Sequence, residues 1–264
     1  RCQPDPRCPS LRRRTGYSHT VRSPAGPAVR HGTAFPATGD RQCRAGDFFG
    51  SLGYFGKLDV DTQVLIVGAG PVGLTLAIDL GRRGVKCTLI EQKEAPQFLP
   101  KMERCNARTM EMYRRLGLAD MIRKAGFPSD VPMDVFIVLS LVEPPLLHLP
   151  YPSVEEARRT IAATNDGTEP LEPYQLISQY TLEPLLKRVA ESLPSVTVRY
   201  GCEFISFTQD EGSVRTKVRT LDGNVSEVTS QYLAACDGGG SPIRKQLGIK
   251  LHGDGNLLEL RQAL

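Results

Sequence analysis

Cysteine is scarce in this chain. Seven are scattered through 264 residues with no C-x-x-C pair, so the spacing supports neither a disulfide framework nor a zinc site. Four histidines occur, none with ligand-like neighbours. No apolar run is long enough to cross a membrane as a helix. Cys87 and Cys236 fall in apolar, strand-like stretches and are expected as buried thiols. A reducing, cytoplasmic setting is the default expectation.

A basic folded surface is also missing. The formal charge is +4, but residues 1–58 hold 10 Lys+Arg against 3 Asp+Glu, and the remainder holds 23 against 26. The body is therefore mildly acidic, which gives no ground for a nucleic-acid partner. Residues 1–58 carry Arg12-Arg13-Arg14, many Pro and Gly, and few aliphatic residues. Such a stretch cannot bury enough apolar surface to offset chain entropy, and disorder is expected. It reads as a non-native extension or as a targeting segment that is Arg-rich and acid-poor but shows no amphipathic helix.

What the chain does have is a strand–turn–helix–strand unit from Gln63 to Glu91. Val64–Val67 is a short apolar strand signal. Gly68-Ala69-Gly70-Pro71-Val72-Gly73 is a G-x-G-x-x-G turn, Leu74, Ala77 and Leu80 follow at helical spacing, and Gly84 stops the helix. Gly68 permits the tight turn, Gly70 lets a pyrophosphate approach the backbone, and Gly73 lets helix and strand pack closely. The helix start offers free N–H groups to phosphates. Glu91, at the end of the second strand, suits ribose hydroxyls. A lone G-x-G-x-x-G is weak, but here its strand, helix and terminal acid are all present.

Further along, Asn106 is an N-cap for a helix over 107–116, with Met110, Tyr113 and Leu116 on its buried face and Gly117 as its stop. Arg108 sits in the first turn, where the helix dipole disfavours a cation. Either a bound phosphate or simple solvation accounts for it. Val131–Leu149 reads as strand-like, almost wholly apolar over Val135–Val142 and broken at Pro144-Pro145. Residues 150–174 read as loop, and His148 as a loop or core-edge residue. A helix begins near Thr181, with Leu182, Leu185, Leu186, Val189 and Leu193 on one face and Pro184 in its first turn. Val196–Thr208, Val214–Leu221 and Val225–Ala235 read as paired strands, the last two joined by a turn at Asp222-Gly223. A second glycine loop follows at Asp237-Gly238-Gly239-Gly240. Ser241 caps the next helix, Pro242 opens it and Gly248 stops it. Asp237 is placed to meet a ribose, a ribityl chain or a loop amide, and Arg244 to hold the loop or meet a phosphate. Two such loops favour one extended nucleotide lying between two strand ends.

These motifs resemble the group A FAD-dependent aromatic monooxygenases, the family that includes p-hydroxybenzoate and phenol hydroxylases. The resemblance spans roughly residues 60–250. Gly68, Gly70, Pro71, Val72 and Gly73 with Glu91 match its ADP-binding fingerprint. Arg108-Thr109-Met110-Glu111 matches its R-T-x-E helix, and Lys101 stands near where many members carry an arginine facing the FAD pyrophosphate. Gln179 with Leu182-Glu183 matches a segment whose glutamine approaches the flavin linker. Asp237 and Gly238 open a D-G-x-x-S-x-x-R motif linked to FAD and NAD(P)H.

The resemblance implies an α/β fold, a Rossmann-like FAD-binding domain of glutathione-reductase type with a partial β-sheet substrate domain. The implied division is 59–128 and 181–264 as the two parts of the FAD-binding domain and 129–180 as a substrate-side sheet. It implies FAD as cofactor and NAD(P)H as co-substrate. O2 would hydroxylate a small phenol-like substrate through a flavin C4a-hydroperoxide, with a homodimer allowed and a role in aromatic catabolism. Tyr151, Tyr174 and Tyr180 lie in the substrate-side stretch and read as packing residues; no catalytic base is assigned. The family's downstream G-D motif is not found, Gly253-Asp254 being too close to the preceding motif, and a C-terminal truncation is expected. The alternatives are a related halogenase, epoxidase or reductase, or an FAD- or ADP-binding fragment without turnover.

Overall fold

A computed structural model describes residues 60–98 and 101–255. The Arg-rich leader, residues 1–58, lies outside them. The described chain runs β1 (Thr62–Val67), α1 (Pro71–Arg82), β2 (Cys87–Glu91), β3 (Arg104–Cys105), α2 (Ala107–Arg115), α3 (Ala119–Ala125), β4 (Val135–Ile137) and β5 (Leu147–Leu149). It continues α4 (Val154–Ala163), β6 (Gln175–Leu176), α5 (Gln179–Glu191), β7 (Val196–Tyr200), β8 (Cys202–Gln209), β9 (Val214–Thr220), β10 (Val225–Ala235) and α6 (Pro242–Gln246).

Six strands form one sheet in the order β7-β2-β1-β10-β9-β8. The parallel core pairs β7 with β2, β2 with β1, and β1 with the second half of β10. The first half of β10 runs antiparallel to β9, and β9 antiparallel to β8. Strand alternation then divides the interior in two. Ile66 and Leu89 face α1 and α5, packing with Leu74, Ala77, Ile78, Leu182 and Leu186. Leu65, Val67 and Ile90 face the other way, onto Cys202, Phe204, Phe207, Val218 and Ile243. An α/β body with a parallel core is thus observed, as the motifs implied.

Several elements follow from local chemistry. Pro71 opens α1, where its missing N–H costs nothing. The Asn106 side chain accepts from Thr109 N at 2.8 Å, capping α2. Gly84 and Gly117 take positive φ just past their helices, as expected of C-terminal stops.

Elsewhere the structure corrects the expectations. The stretch Val196–Thr208 is two strands, broken at Gly201 (φ 66°), and they lie at opposite edges of the sheet. A register shift between Phe204 and Ser206 puts Phe204 and Phe207 into the same core despite their odd spacing. The apolar run Val135–Val142 contributes only the three residues of β4. It pairs with β5 as a two-stranded hairpin, and Leu139, Leu141 and Val142 are exposed. β6 pairs with β3 rather than with this hairpin. α5 begins two residues earlier than expected, so Pro184 lies inside it rather than in its first turn. Cys87 is buried, but Cys236 is only half-buried.

Residues 150–174 are not all loop. They hold α4, opened by a capping box in which Ser153 Oγ accepts from Glu156 N and Glu156 Oε2 accepts from Ser153 N at 2.8 Å. Only Val154 of this helix is buried, so little packing supports it. Ser153→Ala is expected to cost about 1 kcal/mol, read as a lower urea midpoint at unchanged m-value.

Among the described residues no helix is long and apolar enough to cross a membrane.

Candidate functional site

The turn after β1 is built by exclusion of side chains. Gly68 has φ 105°, and a Cβ there would stand 2.3 Å from the Cys236 carbonyl oxygen. A Cβ on Gly73 would stand 1.9 Å from Gly68 O. The ends of β1 and β10 and the start of α1 therefore meet backbone to backbone. Gly70 is different: a Cβ would find nothing nearer than Glu183 Oε1 at 3.9 Å. Its backbone borders open space instead.

That space is a cavity of about 420 Å³ across the carboxyl ends of the parallel strands. Gly68, Gly70, Pro71, Val72, Glu91, Lys101, Gln179, Asp237 and Gly238 line it. Gly73 does not, but it seats the helix that does. Arg108 is not brought there: its side chain is 73% exposed and bonds Glu111 at 3.1 Å, one helical turn away. Solvation and a local ion pair account for its place in the first turn. The same bond, after one from Leu171 N, holds the Glu111 carboxyl below its usual range.

Each lining group is fixed by its neighbours. Glu91 accepts from Ala69 N at 2.9 Å and from Lys93 N at 3.1 Å, tying the glycine turn to the end of β2. α1's first internal bond runs from Leu74 N to Gly70 O at 3.0 Å, which leaves the N–H groups of Val72 and Gly73 without helical acceptors. Asp237 accepts from Ser241 Oγ at 2.8 Å and from Ile243 N, in the first turn of α6, at 3.3 Å. Arg244 holds the loop through Ile249 O and Gly239 O. Gln179 is clamped at both ends of its amide. Its oxygen accepts from Lys101 N at 2.6 Å and its nitrogen donates to Glu183 at 2.5 Å. Glu183, buried on α5, also accepts from Gln97 N at 3.3 Å.

Sequence reasoning assigned no role to Glu183 or Tyr200, which also line the cavity. Glu183 lay within the quoted motif. Tyr200 ends β7 at a strand break, next to Gly201, that the alternation over Val196–Thr208 does not show. Of the three tyrosines of the substrate-side stretch, Tyr151 stands edge-on to Tyr174 and Tyr180 stacks on Phe98, with Tyr151 and Tyr180 themselves exposed. His148 is exposed, bonded to Asp134 and stacked on Phe136.

Ligands of open α/β sheets bind beyond the carboxyl ends of their strands, at glycine turns that bare the backbone, and this cavity lies there. The fold and the cavity together define a dinucleotide-binding α/β protein. Comparison with known proteins narrows that class. Residues 61–263 match the family described as FAD binding domain, and the chain belongs to this family of FAD-binding monooxygenases. It is similar to the FAD-dependent monooxygenase apdD of Emericella nidulans, 36% identical over 72% of this chain and 31% of that protein. It is also similar to aklavinone 12-hydroxylase DnrF of Streptomyces peucetius, 37% identical over 75% of this chain and 40% of that one. Among solved structures it resembles the flavin-dependent monooxygenase PieE in complex with FAD and substrate. There the TM-score is 0.65 at 30% identity, covering 74% of this chain and 33% of that chain. The chain thus spans about a third of the length of the relatives it matches.

Proposed function

We propose that the cavity holds FAD, and that the protein to which these residues belong hydroxylates an aromatic, phenol-like substrate with NAD(P)H and O2. One observation carries the reading. The glycine turn, Glu91 and the Asp237 loop, drawn from three separate parts of the sequence, converge on a single cavity in a chain of the FAD-binding monooxygenase family. The residues suit the group. Gly70 offers bare backbone beside open space, the Val72 N–H at the cavity edge has no helical acceptor and suits an anion, and the fixed Glu91 carboxylate keeps lone pairs for ribose hydroxyls.

In this reading Gly68 and Gly73 shape the turn, while Gly70, Pro71 and Val72 border the diphosphate. Glu91 holds the ribose, and Lys101, Gln179, Asp237 and Gly238 border the rest. Arg108 is left out of the set. Residues 59–128 and 181–264 form the two parts of one FAD-binding unit, and 129–180 lie on the substrate side. The bound flavin supplies the redox chemistry, hydride acceptance from NAD(P)H and activation of O2. The chain's own residues orient it. The doubly bonded Gln179 amide keeps one face fixed, and the Glu91 bridge holds the turn rigid at no cost on binding. The free, buried thiols Cys87, Cys105 and Cys202 suit a reducing compartment such as the cytoplasm.

The test is reconstitution of the 264-residue chain with FAD, followed by NAD(P)H oxidation with and without phenols and by product analysis. Flavin absorbance retained on the protein and phenol-stimulated oxidation yielding a hydroxylated product are expected. A colourless protein after FAD soaking would overturn the reading. Glu91→Ala is expected to weaken FAD binding about 10- to 100-fold, the worth of a hydrogen bond to a charged group, measured by quenching of flavin fluorescence.

A second reading, a nucleotide-binding unit without turnover, is favoured by the substrate-side hairpin. β4 and β5 have three residues each, and Phe136, Leu141 and Leu147 are exposed. It predicts FAD binding with no substrate-stimulated oxidation.

A further inference from the structure

The cavity proposed to take an anionic ligand is itself lined by more negative than positive charge. Among the described residues three carboxylates border it, those of Glu91, Glu183 and Asp237, against one ammonium, that of Lys101. Glu91 and Asp237 are engaged in the turns they hold, through Ala69 N and Lys93 N for the first and through Ser241 Oγ and Ile243 N for the second. Glu183 differs. It is 3% exposed, and its hydrogen-bond partners among the described residues are neutral amides, Gln97 N at 3.3 Å and Gln179 Nε2 at 2.5 Å. Burying a carboxylate without a cation is costly, so its position calls for a reason.

The glycine turn supplies one. Apart from Gly70's chain neighbours, Glu183 Oε1 is the heavy atom nearest to where a Cβ on Gly70 would stand, at 3.9 Å. The carboxylate therefore faces the bare backbone that a diphosphate would approach. A glycine turn at a helix start attracts any phosphate. It does not tell the singly charged diester phosphates inside a dinucleotide from a terminal phosphate, which carries about two charges at neutral pH. A fixed negative charge beside the turn does, because it repels the terminal phosphate more. We infer that Glu183 is a specificity-determining residue, selecting diester phosphates such as those of FAD against terminal phosphates such as that of ADP. This rests on the FAD reading above. One extra charge at roughly 10 Å, in a medium of effective dielectric about 20, is worth on the order of tenfold in affinity.

The experiment measures three ligands on wild type and on Glu183→Gln near neutral pH: ADP and the β-methyl ester of ADP by calorimetry, and FAD by quenching of flavin fluorescence. The ester removes one charge from the terminal phosphate and leaves the rest of ADP in place. Wild type should bind the ester about tenfold more tightly than ADP. In Glu183→Gln that preference should fall to near unity. Glutamine can accept from only one of the two amides that Glu183 serves, and that loss would weaken all three ligands together. The ratio of ester to ADP affinity would not move with it, so the ratio reads charge rather than fold. A second neutral variant, Glu183→Met, should show the same ratio. Equal wild-type affinities for ADP and its ester, or a preference that survives in either variant, would overturn the inference while FAD binding kept the FAD reading standing. Wild type that binds neither ADP nor FAD would sink the dinucleotide reading itself, and this inference with it.

Discussion

Gly73→Ala is expected to abolish FAD binding and to destabilise the protein by about 3 kcal/mol or more. A single methyl group at this position has nowhere to go. It would stand 1.9 Å from the carbonyl oxygen of Gly68 and 3.2 Å from the Cys236 side chain. The first of these is backbone, so relief requires α1 to move away from β1 rather than a rotamer change. α1 carries Leu74, Ala77 and Ile78, all fully buried against the sheet and α5. Forced expansion of a packed interior costs about 1–3 kcal/mol and occasionally more, and this contact is tighter than most. The same displacement would pull the Val72 N–H from the cavity edge. Urea unfolding would give the stability change and flavin fluorescence the binding. A variant with wild-type urea midpoint would show that the elbow is looser than its spacing indicates.

The second large effect lies away from the cavity. Arg123→Ala is expected to cost about 3–5 kcal/mol, the penalty for leaving a buried charge without its partner. Arg123 on α3 donates to Glu172 at 2.8 Å, to the Pro173 carbonyl at 2.8 Å and to Gln175 at 3.0 Å. Its side chain is 7% exposed and that of Glu172 11%. Arg114 and Arg158 approach the same carboxylate at 3.8 and 3.9 Å but stay half-exposed, so they cannot replace it. Removing both partners together should hurt less than removing either alone. The double variant Arg123→Met with Glu172→Gln is therefore expected to recover part of the loss. Denaturant midpoints of the two single variants and the double variant would measure this coupling. Additive losses would show that the two side chains are not energetically coupled.

The glycine elbow was legible because everything that specifies it is local. A period of two gives way to a turn and then to a period near 3.6 within thirty residues, and each glycine has a steric reason nearby. Asn106 and Ser241 were readable as caps for the same reason. Where the deciding partner is distant, the sequence was ambiguous. Val135–Val142 is as apolar as any core strand, but among the described residues its only strand pairing is with the three residues of β5. Gly201 looks like an interruption within a strand, whereas it marks the passage from one edge of the sheet to the other. α4 was missed for the opposite reason. Its single buried residue leaves no apolar period, although the S-x-x-E pattern at Ser153–Glu156 announced it. For the cavity, motif matching named nine residues that line it and one, Gly73, that supports it. It also named Arg108, whose placement follows from Glu111 rather than from a ligand. Tyr200 carries no motif; only the register of β7 against β2 brings it beside Glu91.

The pairing of β1 with β10 has a consequence for how the protein comes into being. Thr62 and Ser230 are neighbours in the sheet, yet a ribosome working at about 5–20 residues per second would release them roughly 10–30 s apart. During that interval β2 and β7 can dock on one flank of β1 while its other flank stays bare, an unpaired edge of the kind that invites intermolecular association. The nascent chain would then have its first glycine elbow long before the second loop that completes the pocket. Chaperone dependence and aggregation during synthesis should accordingly peak before residue 235 emerges and fall once β10 has inserted.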